Sequence, residues 1–185
     1  MNRLSQPEII TQKRLIKLFQ DELDFEYLGE WRDRENNSNI EESLLNKNLE
    51  SRGYQKIQIS RAVELLKRVA SDNRKSLYQR NQETYNLLRY GVQIQTEPGN
   101  PFETVNLIQW ENVKSNHFSL AEEVTLQGNM ERRPDIVFYI NGIAIGVLEL
   151  KRSKVAITEG IRQSRSNQQK RFNEWFYSTV QLVMA

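Results

Sequence analysis

The sequence predicts an α/β (α+β) fold, a mixed central sheet flanked by helices, with a mainly helical part at its N-terminal side. Three observations predict it. Apolar residues recur at helical spacing up to about residue 90, alternating and continuous apolar runs replace them afterwards, and Asn141-Gly142 joins two of those runs at close quarters. The first 90 residues are read as the helical part and residues 91–185 as the sheet core of one domain, a size ordinary for a single hydrophobic core.

The elements follow in order. Ser5-Gln6-Pro7-Glu8 reads as a capping box with Pro in the first turn, and Ile9, Leu15, Ile16, Phe19 and Leu23 continue as a helix. Residues 31–39, rich in Arg, Asp and Asn, read as a loop. Helices are predicted over 40–51, stopped by Gly53, over 59–70, and over 75–90, stopped by Gly91. Val92 to Gln95, Val105 to Ile108 and Phe118 to Leu126 read as strands. Residues 136–140 and 143–150 are apolar on both faces, as central strands are. A crossover helix over 157–173 and a buried strand over 179–184 complete the layout. With nothing following that strand, the chain is expected to be a fragment of a longer protein.

Composition excludes several classes. Apolar residues make up 38% and charged residues 27%, with no apolar run of membrane-spanning length and no secretory leader, so a cytoplasmic protein with no membrane association is expected. There is no cysteine, hence no disulfide framework and no thiolate metal site. The net charge of +2 is too mild to indicate nucleic acid, but between Lys151 and Arg171 Lys and Arg far outnumber the single acid, Glu159. Lys154, Arg162 and Arg165 are candidate phosphate contacts. A solvated helix face explains them equally well.

The chemistry lies in Arg133-Pro134-Asp135, the hairpin, and Glu149-Leu150-Lys151. Glu149 and Lys151 are two apart on a strand and share a face, while Leu148 and Leu150 face the core. Charges placed at the end of so apolar a strand are costly unless a metal and a substrate use them. Two carboxylates suit a hard cation such as Mg²⁺, which polarises a phosphate and lowers the pKa of a bound water. A lysine beside that water orients it or stabilises developing charge. An ion pair on a surface hairpin is the bland alternative, and Glu-x-Lys alone would not displace it. Pro-Asp before one apolar strand and Glu-x-Lys ending the next does.

Register tests this reading in advance. A plain two-residue Asn141-Gly142 hairpin would pair Ile140 with Ile143 and Asp135 with Leu148, setting Asp135 and Glu149 on opposite faces. One metal could not then use both. Either a three-residue loop or a bulge between Asp135 and Glu149 is therefore predicted.

These residues carry a resemblance. Pro134-Asp135 with Glu149-x-Lys151 resembles the PD-(D/E)xK nuclease superfamily. Residues 105–112, Arg133 to Val137, Asn141-Gly142, Leu148 to Lys151 and 179–185 are similar to the N-terminal region of the restriction (R) subunit of type I restriction enzymes, most firmly over 91–185. The resemblance implies a restriction-endonuclease-like fold and an endonuclease cutting double-stranded DNA with Mg²⁺. It also implies partner modification and specificity subunits, and an ATP-driven motor elsewhere in the parent protein. No phosphate-binding Gly-x-x-x-x-Gly-Lys loop occurs here. By the same resemblance Gln163 completes the site from the following helix, although Asn167 stands where the family often has tyrosine. Glu8, on the first helix, becomes a further candidate metal ligand beside its capping role. His117 reads as a loop residue, and Trp31, Trp110 and Trp175 as packing anchors. Two rivals stand beside this reading: a stand-alone repair nuclease of the same superfamily, and a catalytically silent DNA-binding or scaffold module.

Overall fold

The computed structural model describes residues 6–128, 131–150, 162, 165–166, 168–169 and 173–184. The predicted crossover helix lies mostly outside these residues, as do Ser5 of the expected capping box, Lys151, Lys154, Gln163 and Asn167.

Among the described residues the order is α1 (Gln6–Leu23), β1 (Glu26–Glu30), α2 (Glu42–Ser51), α3 (Lys56–Ala70), α4 (Leu77–Tyr90), β2 (Val92–Ile94), β3 (Glu103–Val105), β4 (Phe118–Glu122), β5 (Ile136–Ile140), β6 (Ile143–Leu148) and β7 (Leu182–Met184). Five strands form a mixed sheet ordered β1-β4-β5-β6-β7. The three middle strands are antiparallel neighbours, and both outer strands, β1 and β7, pair in parallel.

Each face of the sheet has its own cover. Leu120, Ile136 and Phe138 point to one side, where Ile16 of α1 packs on them and Phe19 stacks against Phe138. Ala121, Val137, Tyr139, Ala144 and Val147 point to the other, against Trp31, Phe176, Tyr177 and Val180. A third cluster joins α2, α3, α4, β2 and β3 around Leu45, Leu49, Leu66 and Leu88, and reaches the sheet at Ile143. The apolar stripe of α3 (Ile59, Ala62, Val63, Leu66, Ala70) is buried there at helical spacing. Helix α4 opens on a Ser76–Gln79 capping box and closes on Gly91, whose φ of +78° ends the helical turn.

Three expectations shift. The strand expected near 92–95 is present, but its partner is Glu103–Val105 and not 105–108, of which residues 106–108 are irregular; the two form a separate two-stranded sheet packed on α3, because the Pro98-Gly99-Asn100-Pro101 turn folds them onto each other. The last strand is shorter than expected, 182–184, because the turn that follows the 3₁₀ residues 176–178 runs on through Thr179, and it is an edge strand with Leu182 exposed, not a buried one. That turn is held from α4, where Arg80 makes a buried ion pair with Glu174 (2.7 Å) and the Asn81 amide donates to the carbonyl of Val180 (2.8 Å). Strand β1 sits within the part expected to be helical. Its Gly29 and its short partly buried run Glu-Tyr-Leu-Gly-Glu carry little strand signal.

Hairpin β5–β6 decides the register. Asn141 (φ +53°) and Gly142 (φ +80°) form the two-residue type I′ loop, with Ile140 opposite Ile143. The pairing then slips: Tyr139 lies opposite Ala144, but Phe138 lies opposite Gly146, so Ile145 is the extra residue of a bulge. Gly146 gives the Phe138 ring room, since a Cβ there would meet it at 3.3 Å. Beyond the bulge Ile136 pairs with Leu148. Of the two predicted devices, the bulge is present and the three-residue loop is not.

Candidate active site

The bulge changes which face each residue of β6 presents. Ala144 and Val147 are three apart, yet both enter the Phe176 side of the core. Leu148 packs on the α1 side with Ile136. Continuing the register one step beyond the Ile136–Leu148 pair sets Asp135 directly opposite Glu149. Asp135 follows Val137 and Tyr139, and Glu149 follows Val147, on one and the same face. Directly opposed side chains in an antiparallel pair lie about 5 Å apart at Cβ. The local hydrogen bonds agree: Asp135 Oδ2 accepts from the backbone N–H of Leu150, and the N–H of Glu149 donates to the carbonyl of Met184 on β7 (3.0 Å). Strands β5 and β7 thus fix the end of β6 from both sides.

Both carboxylates are nearly inaccessible, Asp135 at 7% and Glu149 at 2%. Two like charges buried in one row repel, and each pays a desolvation penalty of several kcal/mol unless positive charge accompanies them. Two hard oxygen donors on one face fit a divalent cation of the Mg²⁺ class. Among the described residues no group of three His, Cys, Asp or Glu forms a metal-binding cluster, so the pair would hold a cation only with donors from elsewhere, water included.

Neighbouring groups brace this end of the sheet. Glu122, opposite Ile136, accepts hydrogen bonds from the Gln12 amide of α1 (2.6 Å) and from the Tyr27 hydroxyl. Burial, then that bond to Glu122, pushes the Tyr27 hydroxyl well above the ordinary tyrosine range. The Gln12 bond brings the first half of α1 to the end of the sheet that carries Asp135. Glu8 lies on α1 one turn before Gln12. Glu123, the residue just past the end of β4, donates its N–H to the carbonyl of Asp135 (2.9 Å) and turns its carboxylate to Arg32 and Arg133.

The other sequence candidates fall as follows. Arg162 and Arg165 are exposed, as phosphate contacts or solvated positions would be. His117 pairs with Glu26 (2.5 Å) at the hairpin end, away from the carboxylates. Trp31 is buried in the core. Trp110 anchors on α4 through a bond to the carbonyl of Leu88 (2.9 Å), and Trp175 bonds the carbonyl of Gln127 (3.2 Å). A cavity of about 440 Å³ between α2 and α3, lined by Glu42, Glu64 and Lys67 among others, contains none of the motif residues. The sequence reading missed Glu123, Arg32 and Arg133 as partners. Arg133 adjoined the motif, but nothing in the pattern announced the residue that holds it.

A sequence profile of the family described as the type I restriction enzyme R protein N terminus matches residues 5–185. The chain belongs to that family. Relatives of this R-protein N-terminal chain include the type I restriction enzyme HindI endonuclease subunit of Haemophilus influenzae, 36% identical over 76 residues, which are 39% of this chain and 7% of that protein. Two provisionally named type I restriction enzyme endonuclease subunits of Methanocaldococcus jannaschii, MjaIXP and MjaVIIIP, are 31% identical over 99 residues and 32% over 88. Those stretches cover 50% and 44% of this chain, and 10% and 9% of the two relatives. The matched region of this R-protein N-terminal chain thus spans a tenth or less of each curated relative's length. Among the described residues no helix is long and apolar enough to cross a membrane.

Proposed function

We propose that this chain is the endonuclease domain of a type I restriction R subunit and hydrolyses phosphodiester bonds of double-stranded DNA with Mg²⁺. The bulge at Ile145 carries the reading, because it brings Asp135 and Glu149 onto one face against the register the loop alone would give. Family membership and relatives named as endonuclease subunits support it. Asp135 and Glu149 would hold the cation. When bound, Mg²⁺ supplies Lewis-acid polarisation of the phosphate and a more acidic water.

The chain's own groups do the rest. The backbone N–H of Leu150 donates to the Asp135 carboxylate and orients it. Lys151, two residues beyond Glu149 in the sequence, orients the attacking water and balances charge on the phosphate. By the family resemblance Gln163 would contribute to the site, and Glu8 of α1 would serve as a further ligand. Lys154, Arg162 and Arg165 hold flanking phosphates. Modification and specificity subunits bring the target sequence, and ATP serves only a motor in the parent protein.

The test is cleavage of duplex DNA in Mg²⁺ or Mn²⁺, by the chain and by its parent complex, with and without chelator. Cutting that needs the metal and disappears in Asp135→Ala, Glu149→Ala and Lys151→Ala is expected. Full cleavage in chelator, or by any one of these variants, would overturn the assignment.

A further inference from the structure

Glu123 is an expensive residue where it stands. It is 3% exposed, its backbone takes the left-handed conformation at φ +52°, and its buried Oε1 has no hydrogen-bond partner among the described residues. Left-handed backbone is unfavourable for a residue with a Cβ, and an unmatched buried carboxylate oxygen carries a further penalty. Its Oε2 receives two arginines: Nε of Arg133 at 2.6 Å and a terminal nitrogen of Arg32 at 3.2 Å. The Nε of Arg32 also reaches Glu30 at 3.0 Å.

Arg133 is thereby held by its inner nitrogen, and no described residue takes its two terminal nitrogens. The side chain is 19% exposed. A planar guanidinium gripped at Nε presents paired donors suited to a bidentate oxyanion. Arg133 lies two residues before Asp135 on the same chain, roughly 7 Å along it. One strand of duplex DNA advances about 3.4 Å of axis per phosphate, so this offset corresponds to about two steps along the backbone from the phosphate at Asp135.

We infer that Glu123 is a positioning residue and that Arg133, with Arg32 beside it, forms a site for a DNA backbone phosphate flanking the one to be cut. The inference rests on the nuclease reading for its ligand, but it concerns affinity and not the cleavage step. The buried carboxylate sets the angle of the guanidinium, and the phosphate takes the terminal donors.

Binding of a short DNA duplex, measured by fluorescence anisotropy across a salt series with Ca²⁺ in place of Mg²⁺, tests it. Arg133→Ala is expected to weaken binding about tenfold, and to flatten log K against log salt by about 0.9. Arg133→Lys keeps the charge but loses the fork, and is expected to recover only part of the affinity. Glu123→Gln is the deciding variant. Removing a negative charge beside DNA should tighten binding if only the field mattered; the positioning role predicts roughly threefold weaker binding. Thermal melts confirm that each variant is folded. Glu123→Gln or Arg133→Ala binding as tightly as the unchanged chain overturns the inference, as does a chain that binds no duplex at all. Asp135→Ala separates the two readings. If it still cuts while Arg133→Ala binds weakly, the nuclease assignment falls and the phosphate site stands.

Discussion

The two ends of hairpin β5–β6 bury polar groups for opposite purposes. At the closed end, Asn141 is fully buried and spends its amide on the chain itself, donating to the carbonyl of Leu107 (2.8 Å) and to Asn116 Oδ1 (2.9 Å) while accepting from the N–H of His117 (2.7 Å). Gly142 completes the pin, its carbonyl receiving the N–H of Glu41 at 2.7 Å. At the open end, Asp135, Glu149 and Glu123 are as deeply buried, yet they are acids side by side on neighbouring strands. Neutral amides that satisfy one another stabilise a turn; neighbouring carboxylates do so only with cations. One hairpin thus separates architecture from chemistry, and the bulge near its middle sets the phase between them.

The comparison can be broken first at the open end. Asp135→Ala or Glu149→Ala should lower metal-dependent cleavage by about 10³-fold or more, the scale of losing a main electrostatic contribution to the transition state. The melting temperature should move little, and a large drop in it would show that the pair serves stability. Deleting Ile145 removes the bulge and its extra residue together, so Asp135 stays opposite Glu149 and divalent-metal binding in calorimetry should survive. Inserting one alanine after Gly146 attacks the phase itself: it sets Glu149 on the face opposite Asp135 and should abolish that binding while far-UV circular dichroism stays near native. Retained metal binding in the insertion variant would mean that the phase does not place the site.

At the closed end the expected losses are of stability. A Cβ on Gly142 would sit 2.6 Å from the carbonyl oxygen of Glu41, and φ is +80° there, so Gly142→Ala should destabilise by about 3 kcal/mol. Cleavage measured well below the melting point should be near normal. The smallest effect is alkaline. Burial, and for Tyr27 the bond to Glu122, raises the Tyr27 and Tyr139 hydroxyls above the ordinary 10.0, so the folded chain keeps protons that the unfolded chain releases. Their contribution is whole below pH 10 and is lost as pH climbs above it. Urea melts at pH 8 and near pH 11 should show that decline, and Tyr27→Phe should lessen it.

The sequence told these ends apart only partly. Asn141-Gly142 announced the closed end because few residues tolerate two positive φ angles in succession. The carboxylate pair was legible because charges at the ends of apolar strands have few structural uses. The need for a phase shift followed from the period of two along a strand, but its location did not. Ile145 is an ordinary apolar residue, and only the Gly146 beside it hints at a break in the ladder. The helices over 42–51, 56–70 and 77–90 were legible from periodicity and capping residues. Strand β1 was not, since a parallel edge strand is defined by a partner some 90 residues away, Glu26 with Ser119. Glu123 was silent for the same reason, its meaning resting on Arg32 and Arg133 from different segments.

The bond from the N–H of Glu149 to the carbonyl of Met184 has a consequence in time. During synthesis Glu149 is made 35 residues before its neighbour on β7 exists (184 − 149), a wait of about 2–7 s at translation rates of 5–20 residues per second. The early chain can close the Asn141-Gly142 turn at once, since that contact is local and fast. The Asp135–Glu149 end cannot be locked until β7 arrives. A nascent chain therefore carries its fold-forming turn well before the proposed cutting site is complete.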